Sequence, residues 1–305
     1  RKLELVQRDD ESAPPKGIIA ARELVSKEKV AAIFGGIDTP VGIATVPVTN
    51  KEKTIYMAVW AAGTGITRNG ANPNYAFRVS AVDALVDIKL LDYANRKFGS
   101  KKPGLMLINN PWGESNEKGL VAADADNKEV DIAGIEKFEN ADVDMTPQLT
   151  RLKEKGADSI ILVVNAPPGA QVMKSRERLG WTVPVVSHWG ISGGRFPELA
   201  GPTAGDAHFV QTFSFFGKLS PVGERVLSAA RKVLDGAKAG GVETMPLAGM
   251  KLLAWLQENA PGTPQLNREL QQGANAKVNA SLSWTSDAIT VRAFANNLFN
   301  RETYG

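Results

Sequence analysis

Short apolar runs alternate along the chain with longer stretches whose apolar residues recur at helical spacing. Val30–Phe34 is such a run, and the stretch after Pro15 places Ile18, Ala21 and Val25 on one helical face. A continuous apolar run of about five residues is typical of a strand buried on both faces. Strands of this kind, separated by amphipathic helices, predict a parallel sheet with crossover helices.

The same rhythm continues through most of the chain. Glycine and proline mark the turns between the runs, as at Gly156, which ends a helix that Asp144 can begin. The predicted strands are 2–7, 30–34, 55–59, 75–79, 105–108, 132–138, 160–164, 184–186 and 208–213. The predicted helices follow Pro15, Trp112 and Asp144 and occupy about 40–52, 82–98, 169–179 and 221–235.

The predicted strands end in small or polar residues. Because ligands of open parallel sheets bind outside the carboxyl ends of the strands, these ends predict one small-molecule pocket. They offer backbone N–H groups, hydroxyls and indoles, but they do not indicate a particular ligand or reaction. The stretches concerned are 35–39, 60–65, 109–113, 165–168 and 187–190.

Composition narrows the choice of partner. The 305 residues carry a formal net charge of +3 and no basic block interleaved with aromatics, which argues against nucleic acid as a partner. There is no apolar run of the length that spans a bilayer. The chain has no cysteine, which excludes disulfides and thiolate ligands, and its two histidines form no metal motif. We therefore expect no metal and no cofactor.

One motif suggests an enzyme. Gly190–Gly194 matches G-x-S-x-G, the pattern of a hydrolase nucleophile, with Ser192 as the serine. Only Asp206 and His208 follow as its acid and base, and three triad members within seventeen residues do not suit that fold. We therefore expect a protein that is not an enzyme, and keep a serine esterase using Ser192 as an alternative.

Residues 1 to about 250 resemble the substrate-binding proteins of bacterial ABC transporters, in the branch that binds leucine, isoleucine and valine. The resemblance lies in the order and spacing of several segments. They are "RKLELVQRDDESAPPKGIIAARELVSKEKVAAIFGG", "NPNYAFRVS", "INNPWGESNEKG" and "PQLTRLKEKGADSIILVVNAPPGAQVMKSRERLGWTVPVVSHWG".

This resemblance implies a type I periplasmic binding fold, an α/β fold with two Rossmann-like lobes and parallel sheets. Lobe 1 would hold 1–80 and 207–250, lobe 2 would hold 81–206, and 251–305 would be a linker and an atypical β tail. The implied protein is periplasmic. It captures a small carboxylate-bearing ligand, an amino acid or aromatic acid, by lobe closure and delivers it to an ABC permease in the inner membrane. An amide- or urea-type sensor module is an alternative, and the oligomeric state stays open.

The resemblance also implies which residues contact the ligand. Thr39 would supply a hydroxyl, and the aromatic before a glycine is Trp112. Asp38 departs from the family pattern, because it stands where a small residue is expected and would repel an anion if it pointed inward. Trp60, with the two other pocket tryptophans, suggests a flat or bulky ligand. The full set of expected ligand-binding residues is Thr39, Ala61, Gly63, Thr64, Trp112, Asn165, His188 and Trp189.

The two ends of the chain depart from the resemblance. The family normally begins with one more strand and helix before Arg1, and no signal peptide is present in this sequence. Residues 279–305 resemble instead the terminal strands of TonB-dependent outer-membrane receptors, with a boundary near 250–277. The alternative for this tail is an ordinary strand hairpin on a divergent binding protein.

Overall fold

The computed structural model describes residues 4–127, 129–192, 195–210, 219–239, 279–285 and 290–296. The chain divides into two compact units. One unit is Val6–Phe213, and the other combines Arg1–Leu5 with Ser214–Gly305. All of the residues expected to contact a ligand lie in the first unit.

Strands and helices alternate through the first unit. Its strands are β1 Ala32–Gly35, β2 Ile55–Ala58, β3 Ala76–Arg78, β4 Pro103–Ile108, β5 Gly134–Phe138, β6 Ser159–Val163, β7 Val185–Ser187 and β8 Ala207–Phe209. Its helices are α1 Pro14–Ser26, α2 Thr39–Lys51, α3 Thr64–Thr67, α4 Asp83–Phe98, α5 Pro111–Ala125, α6 Thr146–Glu154, α7 Ala166–Arg178 and α8 Phe196–Ala200.

Two separate parallel sheets organise this unit. The first sheet has the order β1-β2-β3, and the second has the order β5-β4-β6-β7-β8. The α/β class with parallel sheets is therefore confirmed. β4 and β6 are buried along their whole length, as expected of apolar runs covered by helices on both faces.

The second sheet changes direction at β4. The chain moves outward from β4 to β5 and then returns to β6 on the other side of β4. The loops after β4 and β6 therefore diverge, and a crevice opens between them at the carboxyl ends of the strands. Trp112 and Asn165 follow β4 and β6, so the topology places both at this crevice.

Local signals set the ends of several helices. Gly99 follows α4 with φ of 71°, and its N–H bonds the carbonyls of Ala94 and Asn95. Gly156 takes a φ of 78° after α6. This left-handed conformation costs glycine little, so both residues stop a helix without strain.

Two strand predictions need correction. Of the predicted strand 2–7, residues 4–7 do not form a strand, and residues 2 and 3 lie outside the described residues. Of the predicted strand 208–213, residues 208 and 209 belong to β8, Ala207–Phe209, and residues 211–213 lie outside the described residues. β8 pairs with β7, so it is a strand of the second sheet. The predicted lobe limits stay predictions.

The second unit contains α9, Pro221–Ala239, and an antiparallel pair formed by β9, Asn279–Thr285, and β10, Thr290–Asn296. The pair follows the predicted β pattern of the tail, while the likeness to outer-membrane receptors stays a prediction. Within the described ranges, no helix has both the length and the apolar character needed to cross a membrane.

Candidate functional site

A small cavity lies at the carboxyl ends of the strands, with loops of both sheets around it. Its volume is about 10 Å³, roughly the room that one water molecule needs. The first sheet contributes loops after β1 and β2, and the second sheet contributes loops after β4, β6 and β7. The lining residues are Ile37, Asp38, Thr39, Trp60, Ala62, Trp112, Asn165 and Trp189.

Four of the eight expected ligand contacts line this cavity, namely Thr39, Trp112, Asn165 and Trp189. The other four are not among its lining residues. The carbonyl of Ala61 accepts hydrogen bonds from Arg78 and Ser80. The N–H of Gly63 donates to Thr39. Thr64 donates its N–H to Ser115 on α5 and accepts the N–H of Ala84 on α4, while His188 is fully buried. Contact of any of the eight with a ligand stays a prediction.

Thr39 joins the two loops of the first sheet. Its Oγ1 accepts the N–H of Gly63 at 3.0 Å, and a Cβ at position 63 would lie 2.2 Å from the Thr39 methyl. A side chain at 63 would therefore displace Thr39 from this contact. The Thr39 hydroxyl still has its own proton to donate towards the cavity.

Asp38 and Asn165 are partly exposed polar residues on the cavity wall. Each is the N-cap of a long helix, α2 or α7, yet neither side chain caps that helix. Prolines at 40, 167 and 168 remove backbone N–H groups from the first turns of these helices, which leaves fewer partners for a capping side chain. The carboxylate of Asp38 and the amide of Asn165 are therefore available to a molecule in the cavity.

Two of the three lining tryptophans are nearly buried, with relative exposures of 8% for Trp112 and 3% for Trp189. The ring of His188 lies between them, 5.7 Å from one indole and 4.9 Å from the other, both in edge-on geometry. The Nε1 of Trp112 donates to Oδ1 of Asp83 at 3.2 Å. These contacts fix two walls of the cavity from behind.

A buried acid cluster supports these walls, and sequence reasoning missed it. Asp83, Asp87 and His188 are all fully buried, and Nε2 of His188 lies 3.4 Å from Oδ1 of Asp87 and 4.0 Å from Oδ1 of Asp83. The second carboxylate oxygen of each aspartate has no hydrogen-bond partner among the described residues. The sequence feature that indicates this cluster is the i, i+4 spacing of the two aspartates, which places both on the core face of α4.

Burial decides the charge of this cluster. It raises the pKa of Asp87 to about 9, with the charge of Asp83 as a further cause. Burial raises the pKa of Asp83 to about 6, while hydrogen bonds from Ser115 and Trp112 act in the opposite direction. Burial also lowers the pKa of His188 to about 3. Near neutral pH, Asp87 is therefore protonated and His188 is uncharged.

One hydrogen bond links the loops of the two sheets beside the cavity. The N–H of Thr64, after β2, donates to Oγ of Ser115 on α5 at 3.1 Å. Ser115 thus connects the first sheet to the helix that carries Trp112.

We expect Ser115→Ala to lower the free energy of unfolding by about 1 kcal/mol, because the N–H of Thr64 loses its acceptor. This corresponds to a fall of about 2–4 °C in melting temperature, measurable by calorimetry. The matched control is Ser26→Ala, whose exposed hydroxyl bonds only the carbonyl of Arg22 in its own helix. Equal melting temperatures for the two variants would contradict a structural role for the link.

Among the described residues, Ser192 makes no hydrogen bond with Asp206 or His208, the acid and base that a triad would need. Ser192 ends a 3-10 turn that begins at Trp189, and Gly193 and Gly194 lie outside the described residues. His208 bonds the hydroxyl of Tyr93, and His188 faces Asp87. Across the described ranges, no group of three or more histidine, cysteine or acidic residues is arranged to hold a metal ion.

Comparison with known proteins identifies the fold independently. The sequence matches the family described as periplasmic binding protein over residues 1–256. No curated protein sequence matches the chain at a significant level.

Three solved structures illustrate the likeness. A type 1 periplasmic binding protein from Bordetella pertussis Tohama I has a TM-score of 0.67 at 19% identity, over 73% of this chain and 61% of its own. The leucine-binding protein LivK from Thermotoga maritima MSB8 has a TM-score of 0.69 at 17% identity, over 96% and 87%. A solute-binding protein of an ABC transporter from Rhodopseudomonas palustris, in complex with 4-hydroxybenzoate, has a TM-score of 0.65 at 24% identity, over 94% and 76%. The chain thus shares their fold, and it spans less than two thirds of the first.

Proposed function

The chain belongs to the periplasmic binding protein family, and we propose that it is the solute-binding component of an ABC importer. In this proposal it captures a small carboxylate-bearing molecule between its two sheets and delivers it, in the periplasm, to a permease in the inner membrane. In this role the protein encloses the solute and releases it without altering it chemically.

The observation that carries this proposal is the cavity lined by loops of both sheets, at the carboxyl ends of their strands. A cavity of about 10 Å³ is far smaller than an amino acid or an aromatic acid. Entry of a ligand therefore requires the loops of the two sheets to separate, and capture requires them to close again.

The donors around the cavity suit a carboxylate. Thr39 offers a hydroxyl, Asn165 offers an amide NH₂, and Trp60 and Trp189 offer indole N–H groups. The indole rings would cover the apolar body of the ligand. The LivK relative is a leucine-binding protein, and the Rhodopseudomonas protein is in complex with 4-hydroxybenzoate. Both ligands carry a carboxylate.

A thermal-shift screen of amino acids, aromatic acids and amides tests the proposal. A ligand present at about one hundred times its Kd should stabilise the chain by about 2.7 kcal/mol, which raises the melting temperature by about 5–10 °C. Trp189→Leu should reduce that rise, because it removes a wall and an N–H donor of the cavity.

The alternatives give different results. A response to amides but not to acids would support a sensor module instead. Turnover of a chromogenic ester that Ser192→Ala abolishes would support an esterase. No rise with any compound would contradict the capture of a solute.

A further inference from the structure

The charged side chain that lines the cavity is negative, although the proposed ligand carries a carboxylate. Asp38 lines the cavity, and no lysine or arginine is among the lining residues that the structure describes. An N-terminal helix dipole usually attracts anions, but the carboxylate of Asp38 stands at the start of α2 without capping it. A solute with only negative charge would be repelled there.

Three indoles line the same cavity as Asp38, contributed by Trp60, Trp112 and Trp189. Aromatic rings attract cations through the negative charge of their faces, and tryptophan does so most strongly. A group of indoles beside one carboxylate is therefore suited to a positively charged nitrogen.

The indole walls of the cavity favour a nitrogen without N–H groups. A primary ammonium has three N–H donors, each of which needs an acceptor when it is buried. The indole nitrogen is a donor only. The acceptors are on the side chains of Asp38 and Asn165, neither of which caps a helix. An N-alkylated ammonium needs no acceptor, since methyl groups pack against the rings while the charge interacts with the rings and the carboxylate.

We propose that the cavity selects an N-methylated ammonium zwitterion, with the cationic nitrogen among the three indoles and beside Asp38. The inference rests on the proposed function and specifies its ligand class. The carboxylate of the zwitterion would accept hydrogen bonds from Thr39 and Asn165. One pole of the ligand thus compensates Asp38, and the other uses the donors of the cavity.

A methylation series tests this selection while the carboxylate is held constant. Glycine, N-methylglycine, N,N-dimethylglycine and N,N,N-trimethylglycine are titrated into the full chain by calorimetry at pH 7.5, together with choline and 4-hydroxybenzoate. We expect affinity to rise along the series, by at least tenfold from glycine to the trimethylated compound.

Two variants locate the cation. Asp38→Asn should weaken binding of N,N,N-trimethylglycine by about tenfold or more, and it should strengthen binding of 4-hydroxybenzoate, because the repulsion of its carboxylate is removed. Asp131→Asn, an exposed aspartate that does not line the cavity, should leave both unchanged. Trp60→Leu should weaken the trimethylated ligand more than it weakens glycine, because it removes a ring that attracts the cation.

The outcomes separate this inference from the proposed function. Binding of an acid or of an unmethylated amino acid, with no gain on methylation and no effect of Asp38→Asn, overturns the inference and leaves solute capture standing. Tight binding of choline but not of the zwitterion supports the cation site and contradicts the carboxylate. A chain that keeps a cooperative melting transition and binds none of the compounds in this or the broader screen contradicts both.

Discussion

Gly113→Ala is expected to lower the free energy of unfolding by roughly 3 kcal/mol, or about 6–12 °C in melting temperature. A Cβ at this position would lie 1.7 Å from the carbonyl oxygen of Ile108, the last residue of β4. Backbone cannot move aside as a flexible side chain can, so β4 and α5 would have to separate. Thermal and urea unfolding of the variant measure the loss.

The control for this prediction is Gly205→Ala. A methyl group added at Gly205 would meet no heavy atom within 4 Å, and this glycine does not take a positive φ. A melting temperature for Gly113→Ala within 1 °C of that control would show that the turn after β4 relaxes freely. In that case the placement of Trp112 would not depend on a close-packed turn.

Asp87→Asn is expected to stabilise the chain by roughly 2 kcal/mol at pH 8, with a gain that shrinks towards zero near pH 4. The folded-state pKa of about 9 lies above the unfolded value, so the native protein keeps a proton that the unfolded chain has lost. The stability that Asp87 contributes is complete below pH 4 and is lost as the pH rises towards 9. Asparagine is neutral throughout, so the difference between the proteins grows with pH.

The measurement is urea unfolding of both proteins at pH 5, 6.5 and 8. The titration of His188 changes stability in the opposite direction, because its lowered pKa costs stability as the pH falls from about 6.5 towards 3. This residue is present in both proteins, so its effect cancels in the comparison. Asp126→Asn, at an exposed position after α5, serves as a control. A stability difference that is the same at all three pH values would show that Asp87 does not titrate as its burial implies.

The sequence predicted the sheets well because their strands are short, continuous and apolar. β4 and β6 contain almost nothing else, and a run of this kind has few other uses in a soluble chain. Helix starts were harder to predict. The sequence placed one helix at about 169, but α7 begins at Ala166, because Pro167 and Pro168 are tolerated in a first turn where N–H groups have no helical partner.

The candidate site was predictable in position but not in detail. The carboxyl ends of parallel strands must lie together, which places Thr39, Trp112 and Asn165 near one crevice. Which neighbour faces the cavity depends on the direction of each loop. Ala62 lines the cavity, whereas Ala61 was the residue expected there. Trp189 also lines the cavity, but the ring of its neighbour His188 contacts the buried aspartates. Periodicity carries no information about either choice.

The prolines at the start of α2 and α7 bear on how the cavity could change over evolution. Under the proposed function, with backbone donors removed from these first turns, recognition would depend more heavily on side chains, chiefly Asp38 and Asn165. A ligand preference that depends on side chains can change with a single substitution. A ligand preference that depends on backbone N–H groups changes only when the loop conformation changes. Descendants of this protein could therefore acquire new solutes while the scaffold beneath them stays the same.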